Sequence, residues 1–232
     1  MQGLLLIDKP SGWTSFDVVN YVRKLVAHAE GKKPKNVKVG HTGTLDPLAT
    51  GLLVLLIGKD YTRRAGELSK VDKTYQVTMT LGQTSTTGDE EGQKTQLSDH
   101  QPSLDGIRSV LQQFTGHLMQ TPPVFSAMKV NGKRAYQLAR EGKAVELAAR
   151  PVTIYRNEFI SYTYPKVRFD CDVSSGTYIR SLVEDMGSDL GTGAYMSGLC
   201  RTKVGEYDLQ SAIVIDKTTT TEQLTHALLK MN

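Results

Sequence analysis

The chain has 232 residues, of which 39% are hydrophobic and 22% charged, a composition typical of a soluble globular protein. Its formal net charge of +4 is compatible with a polyanionic partner but is also common in proteins without one. Cys171 and Cys200 show no metal-ligand spacing, the N-terminus does not resemble a signal peptide, and the apolar run 52–57 is too short to span a bilayer. These features argue against a secreted, disulfide-rich or membrane-spanning protein and predict a cytoplasmic one.

The N-terminal part of the chain predicts a strand, a turn and a capped helix. Residues 3–7 are apolar and indicate a strand, and Thr14 or Ser15 can cap a helix over about 16–29. Valines and a leucine at helical spacing give this helix one apolar face. A lysine cluster over 32–38 follows, for which both a solvated linker and a phosphate contact are open.

Residues 40–51 form a tightly punctuated loop between a strand-like run at 37–39 and the strongly apolar run 52–57. Pro47 fixes its own φ and disfavours helical angles at Asp46, so a stiff, extended loop should present that carboxylate. An isolated Asp-Pro pair is more often ordinary turn chemistry. A loop of twelve residues between two buried runs favours a functional site.

The next segments alternate between strands, loops and helices. Residues 73–81 have a period of two, which places Tyr75 on the inward face, either packed in the core or lining a site. The acidic stretch 84–92 predicts an exposed loop, and 104–114 predicts a helix. Turn signals then surround a basic group that is a candidate surface for a polyanion, which the family resemblance stated below makes RNA, or simply an exposed helix: Lys129, Lys133, Arg134 and Arg140.

Residues 151–164 and 166–173 predict two strands, and a polar break at 174–177 leads into a helix. Tyr178 and Arg180 fall in the first turn of that helix. A cation there opposes the helix dipole, which suggests that Arg180 meets an anion, whether structural, a phosphate or a carboxylate. A further strand covers 195–202, and the last elements are an extended stretch near 212–215 and a helix over about 221–230.

The sequence Gly-His-Thr-Gly-Thr-Leu-Asp-Pro-Leu-Ala-Thr-Gly at 40–51 resembles the catalytic motif of the TruB family of pseudouridine synthases. Four further segments resemble family motifs in the same order: 8–15, the strand at 73–81, Ser-Gly-Thr-Tyr-Ile-Arg-Ser-Leu at 175–182, and the strand at 195–202. The chain departs from the pattern at Cys200, where the family usually has an arginine.

The resemblance implies specific roles for six residues. By that match Asp46 is the nucleophile, Arg180 its ion-pair partner, and Tyr75 a ring that stacks in the site. Tyr178 would contact the substrate, Leu199 would pack against the target base, and the sixth residue, His41, would occupy the space left by a flipped-out nucleotide. No cofactor or metal is implied, since breaking and remaking a glycosidic bond needs neither a redox step nor an energy source.

The resemblance also implies the substrate and the fold: uridine 55 in the T-loop of tRNA, and an α+β (mixed α/β) fold with a largely antiparallel mixed sheet flanked by helices. We expect a catalytic domain over 1–210 and a short C-terminal tail over 211–232 in place of the PUA domain of many relatives, either natural or cut. We expect a monomer without membrane contact. The alternatives are a non-catalytic RNA-binding module, a guide-dependent synthase and a glycoside hydrolase, the last disfavoured because no second carboxylate lies in the matched motifs.

Overall fold

The computed structural model describes residues 1–126, 128–130 and 132–230, and the side chains of all of these except Tyr136 and Arg140. The chain divides into two compact units, the first formed by residues 1–75 with 199–232 and the second by residues 76–198. The expected boundary at residue 210 stays a prediction.

Short helices and strands of varied length alternate along the chain. The α-helices are α1 Ser15–Ala29, α2 Lys59–Arg63, α3 Ala65–Ser69, α4 Leu104–Gln113, α5 Ala135–Arg140, α6 Ile179–Asp189 and α7 Thr221–His226. The strands are β1 Gly3–Lys9, β2 Val39–His41, β3 Thr50–Ile57, β4 Lys73–Leu81, β5 Gln83–Ser85, β6 Lys94–Gln96, β7 Gly116–Gln120, β8 Lys129–Val130, β9 Lys133–Arg134, β10 Arg150–Thr163, β11 Lys166–Val173, β12 Ala194–Val204, β13 Tyr207–Asp208 and β14 Ile213–Val214. No helix among the described residues is long and apolar enough to cross a membrane.

In the first unit the strand order is β14-β1-β3-β12, with β2 also paired to β3 and β13 to β12. Strands β1 and β3 are antiparallel from Gly3↔Ile57 to Lys9↔Gly51. Residues 51–57 are all buried, which explains why this strand is apolar without alternation. Helix α1 begins with a capping box, in which the Asp17 amide donates to Thr14 Oγ1 and the Thr14 amide donates to the Asp17 carboxylate.

In the second unit the strand order is β12-β4-β11-β10-β7, with antiparallel pairing of β10 to both β11 and β7. The alternation along β11 is confirmed, since Val167, Phe169, Cys171 and Val173 are all buried. The predicted α+β class with largely antiparallel pairing is therefore correct. One helix prediction needs correction: the last helix, expected over about 221–230, ends at residue 226.

Gly51 begins the buried part of β3 in a conformation that favours glycine. Its φ is +95°, and a Cβ there would lie 2.4 Å from the Arg201 carbonyl oxygen of the adjacent strand β12. Gly51→Ala should therefore lower the free energy of unfolding by about 4 kcal/mol, combining backbone strain with a backbone clash. Gly12→Ala is the matched control, since φ is +82° with open space around it, and should cost only about 1 kcal/mol. Urea denaturation of both variants measures this, and equal losses would contradict the clash.

Candidate active site

The loop that carries Asp46 covers residues 42–49 and joins β2 to β3 in the first unit. It is shorter than the predicted loop over 40–51 because residues 40 and 41 belong to β2 and residues 50 and 51 to β3. Asp46 is half-buried and opens a turn, in which the Ala49 amide donates to the Asp46 carbonyl at 3.1 Å. The prediction that Asp46 lies outside helical structure is correct, but Pro47 and Leu48 form a turn instead of continuing the extended loop that the sequence favours.

The residues on both sides of Asp46 are held by the turn and helix that follow β1. Ser15 Oγ donates to the Leu45 carbonyl at 3.0 Å and accepts from the Leu45 amide at 2.8 Å. The Gly12 amide donates to the Pro47 carbonyl at 2.9 Å. Because these bonds engage the backbone immediately before and after Asp46, they fix the direction in which its side chain leaves the loop.

Lys9 adds a buried cation to the same anchor. The side chain is fully buried, and its Nζ donates to the carbonyls of Trp13 at 2.6 Å, Pro10 at 2.9 Å and Pro47 at 3.2 Å. A buried ammonium is stable only where oxygen atoms replace its water. The position of Lys9 at the end of β1 therefore ties the first strand to the turn of Asp46.

Arg201 anchors the start of the loop from the side of β12. It is only 1% exposed, and its guanidinium donates to the carbonyls of Leu52 at 2.8 Å, Gly43 at 3.1 Å and Thr44 at 3.5 Å. Sequence reasoning missed this residue, because an arginine near the end of a strand gives no signal that distant carbonyls surround it. The departure at Cys200 leaves this anchor intact, since the next residue supplies the guanidinium.

Lys73, at the start of β4, is a second buried cation close to this loop. Its Nζ donates to the carbonyls of Val71 at 2.6 Å and Ser69 at 3.1 Å. Burial, and then the Arg201 guanidinium, lower the pKa of Lys73 from 10.5 to about 8, against a smaller opposing effect of Asp72. The folded chain therefore releases this proton in mildly alkaline solution.

The lowered pKa of Lys73 predicts a pH-dependent stability. Between pH 8 and 10.5 the unfolded chain binds more protons than the folded chain, so the free energy of unfolding should rise with pH in this window. The difference between wild type and Lys73→Met should change by on the order of 2 kcal/mol across it. Denaturant titrations in stepped buffers measure this, with exposed Lys70→Met as the control. Parallel curves for wild type and Lys73→Met would contradict the prediction.

His41 is the last residue of β2 and is largely buried. Burial first, and then the charge of Arg201, lower the pKa of His41, while a hydrogen bond with the Gly43 backbone opposes this. The imidazole is therefore neutral at pH 7. Its Nδ1 atom is buried and forms no hydrogen bond with any residue that the structure describes. The role of His41 in occupying the space left by a flipped-out nucleotide stays a prediction.

Tyr75 and Leu199 lie on the neighbouring strands β4 and β12 of the first unit. Tyr75 is 7% exposed, which confirms its inward orientation, and next to it Thr202 Oγ1 donates to the Thr74 carbonyl at 3.3 Å. The Leu199 carbonyl accepts from Thr50 Oγ1 at 3.5 Å, which places Leu199 beside the end of the loop. Stacking of either side chain on a base stays a prediction.

In the second unit, Arg180 lies in the first turn of α6 and is 7% exposed. The guanidinium donates to the carbonyls of Phe125 at 2.9 Å and Thr87 at 3.2 Å, and its Nη1 lies 3.6 Å from Asp89 Oδ2. The prediction that Arg180 meets an anion is thus confirmed, with Asp89 as a carboxylate that it contacts. Pairing with Asp46, a residue of the first unit, stays a prediction. Tyr178 is the N-cap of α6 and not a first-turn residue.

The prediction of an exposed acidic loop over 84–92 is wrong for Asp89, which is 3% exposed. Its Oδ1 accepts from Thr87 Oγ1 at 2.5 Å and from the Glu91 amide at 3.1 Å. Run together with Glu90 and Glu91, this aspartate has the sequence signature of a solvated turn. Its contact with the buried Arg180 of α6 distinguishes Asp89 from a residue of a solvated turn, and that contact cannot be inferred from the local sequence.

The basic surface predicted in the middle of the chain is exposed at Lys129, Lys133 and Arg134, on the hairpin β8–β9. The Arg140 side chain lies outside the described residues, as do Ala127 and Asn131 in the predicted turns.

Two family models match the chain. Residues 31–179 match "TruB family pseudouridylate synthase (N terminal domain)", and residues 180–232 match "tRNA pseudouridylate synthase B C-terminal domain". The tRNA pseudouridine synthase B of Clostridium novyi (strain NT) is 46% identical over 220 residues, covering 95% of this chain and 73% of that protein. The protein of the same name from Aquifex aeolicus (strain VF5) is 42% identical over 219 residues, covering 94% and 73%.

Solved structures with a similar fold include two complexes. One is a Cbf5-Nop10-Gar1 complex, with a TM-score of 0.68 and 29% identity over 92% of this chain and 52% of that one. The other is an H/ACA RNP bound to a substrate RNA containing 2'-deoxyuridine, with a TM-score of 0.66 and 28% identity over 91% and 50%. The chain therefore spans about half the length of these structural neighbours.

Proposed function

Since the chain belongs to the TruB family of pseudouridylate synthases, we propose that it converts a uridine of tRNA into pseudouridine. We propose position 55 in the T-loop as the target, on the basis of the family motifs. The chain would act as a monomer in the cytoplasm. The observation that carries the proposal is the Asp46 turn, because backbone bonds at Leu45 and Pro47 hold it in one geometry.

The proposed reaction breaks the bond from ribose C1′ to N1 of uracil, turns the base and forms a bond from C1′ to C5. The proton on C5 leaves to water and N1 takes up a proton from water, so atoms and charge balance without a redox partner. Asp46 would act as the nucleophile and must therefore be ionised. A nucleophile on an anchored turn is already oriented when the substrate binds, which lowers the entropic part of the barrier.

The target base must leave the stack of the T-loop to reach the half-buried Asp46 carboxylate. Tyr75 would stack on the extruded uracil, while Leu199 and Tyr178 would contact it from other sides. His41, neutral at pH 7, would occupy the space that the base vacates. Arg180 would pair with Asp46 and keep it ionised, because a nearby guanidinium lowers the pKa of a carboxyl group.

Tritium release tests the proposal directly. A tRNA transcript labelled with tritium at C5 of uridine should lose one label per modified site to water, and mapping the product should locate position 55. No release, with tight tRNA binding retained, would instead favour a non-catalytic RNA-binding module.

A guide-dependent synthase is the second candidate, supported by the likeness to the Cbf5 and H/ACA structures. The higher identity to the proteins named tRNA pseudouridine synthase B, 42–46% against 28–29%, makes us rank it second. The same assay separates the two, since release from bare tRNA without a guide RNA or protein partner would exclude a requirement for either.

A further inference from the structure

We propose that Arg150 is a positioning residue for Tyr178 and, in the same complex, binds a backbone phosphate of the RNA. The inference rests on the proposed function, which supplies the RNA substrate, and it adds one residue to the proposed site. It concerns only residues of the second unit, at the N-terminus of α6.

Two residues that are direct partners across β7 and β10 both contact Tyr178. These are Gln120 and Arg150, opposite each other in the antiparallel register. The Gln120 side chain is 3% exposed, donates from Nε2 to the Tyr178 carbonyl at 3.0 Å, and accepts from the Tyr178 amide at 2.8 Å. This pair of bonds fixes the backbone of Tyr178 but leaves its ring to be held by another group.

Arg150 supplies the contact to the ring. Its guanidinium carbon lies 5.0 Å from the centroid of the Tyr178 ring, within the range of a cation–π interaction. Nη2 also donates to the Gly176 carbonyl, which ties the guanidinium to the turn before α6. A Cβ on Gly176 would lie 3.3 Å from Nη2, and φ there is +86°, so glycine permits the close approach.

The charge of Arg150 is not neutralised by any carboxylate in the part of the chain that the structure describes. Arg156 on the same strand makes the contrast, since it pairs with Asp172 at 2.8 Å and with Glu158. A guanidinium has five N–H donors, and the hydrogen bond to Gly176 occupies one of them in Arg150. A cation stacked on a substrate-contacting tyrosine, with donors left over, suits the phosphate of an RNA nucleotide.

The two roles can be separated with two substitutions of the same residue. Arg150→Gln removes the charge and the stacked guanidinium, whereas Arg150→Lys keeps the charge and removes the planar guanidinium. Arg156→Gln is the matched control on the same strand. Each variant is first made in the otherwise wild-type protein to measure kcat. It is then combined with Asp46→Asn, so that the Kd for unmodified tRNA can be measured at equilibrium over a series of salt concentrations.

For Arg150→Gln we expect the Kd for tRNA to rise about fivefold and the slope of log K against log salt to fall by about 0.7 to 1, as for one lost phosphate contact. For Arg150→Lys we expect an unchanged slope and a kcat lowered about two- to fivefold, the effect of a disturbed Tyr178 ring. Arg156→Gln should leave the slope and kcat at their wild-type values.

An unchanged slope in Arg150→Gln, or an equal change in Arg156→Gln, would overturn the phosphate contact. A wild-type kcat in Arg150→Lys would overturn the positioning role. Thermal melts of the three variants establish that they are folded. Arg150→Met, which also removes the charge, replaces Arg150→Gln if that variant does not fold, and an unchanged slope in it would overturn the phosphate contact. Tritium release by the wild type is read separately, so a failure of the proposed function is distinguishable from a failure at Arg150.

Discussion

Asp46→Asn should abolish pseudouridine formation while leaving the Kd for tRNA within about twofold of wild type. An amide is nearly isosteric with a carboxylate but is not a nucleophile, so the rate should fall by at least about 10⁴-fold. The bonds that anchor the loop engage backbone groups at 43–45 and 47 and the side chains of Ser15, Lys9 and Arg201. The fold should therefore survive the substitution.

Single-turnover tritium release measures the rate of pseudouridine formation, and filter binding measures the Kd for tRNA. Asp60→Asn is the control, because Asp60 is exposed and lies outside the loop. It should retain the wild-type rate. Near-normal turnover in Asp46→Asn would refute its role as the nucleophile. Loss of binding together with loss of turnover would indicate a structural role instead.

The features that could be predicted from the sequence are those determined by local pattern. Helix α1 begins where Thr14 and Asp17 make a capping box, and every second residue of β11 from Val167 to Val173 is apolar and buried. The position of Asp46 outside helical structure follows from Pro47, which disfavours helical angles at the preceding residue. In each case the residues that define the structure are close together in the chain, so their spacing is sufficient.

The features that could not be predicted are those in which a buried charge meets partners from elsewhere in the chain. Arg201 donates to carbonyls about 150 positions earlier, and Asp89 contacts Arg180 from a turn that has the composition of a solvated loop. Burial, and then the Arg201 guanidinium, lower the pKa of Lys73, and both depend on the tertiary fold. Periodicity gives no information on such pairs, since they depend on the tertiary fold.

Arg180→Met should lose activity and also lower the free energy of unfolding by about 3 to 5 kcal/mol. The reason lies within the second unit, where Asp89 is 3% exposed and Arg180 7% exposed, with Nη1 and Oδ2 3.6 Å apart. Removing one partner of a buried pair leaves the other charge without compensation. The carbonyls of Thr87 and Phe125 would lose their donors as well.

A double-mutant cycle with Asp89→Asn tests this account of the stability loss. Because Asp89→Asn removes the uncompensated charge, the double variant should be more stable than Arg180→Met alone, by about 1 to 3 kcal/mol in urea denaturation. Activity should not return, since Arg180 is proposed to act on Asp46 as well. Additive losses of stability would show that the two buried charges are not coupled. Recovery of tritium release in the double variant would show that Arg180 serves only to neutralise Asp89, and the proposed pairing with Asp46 would then be wrong.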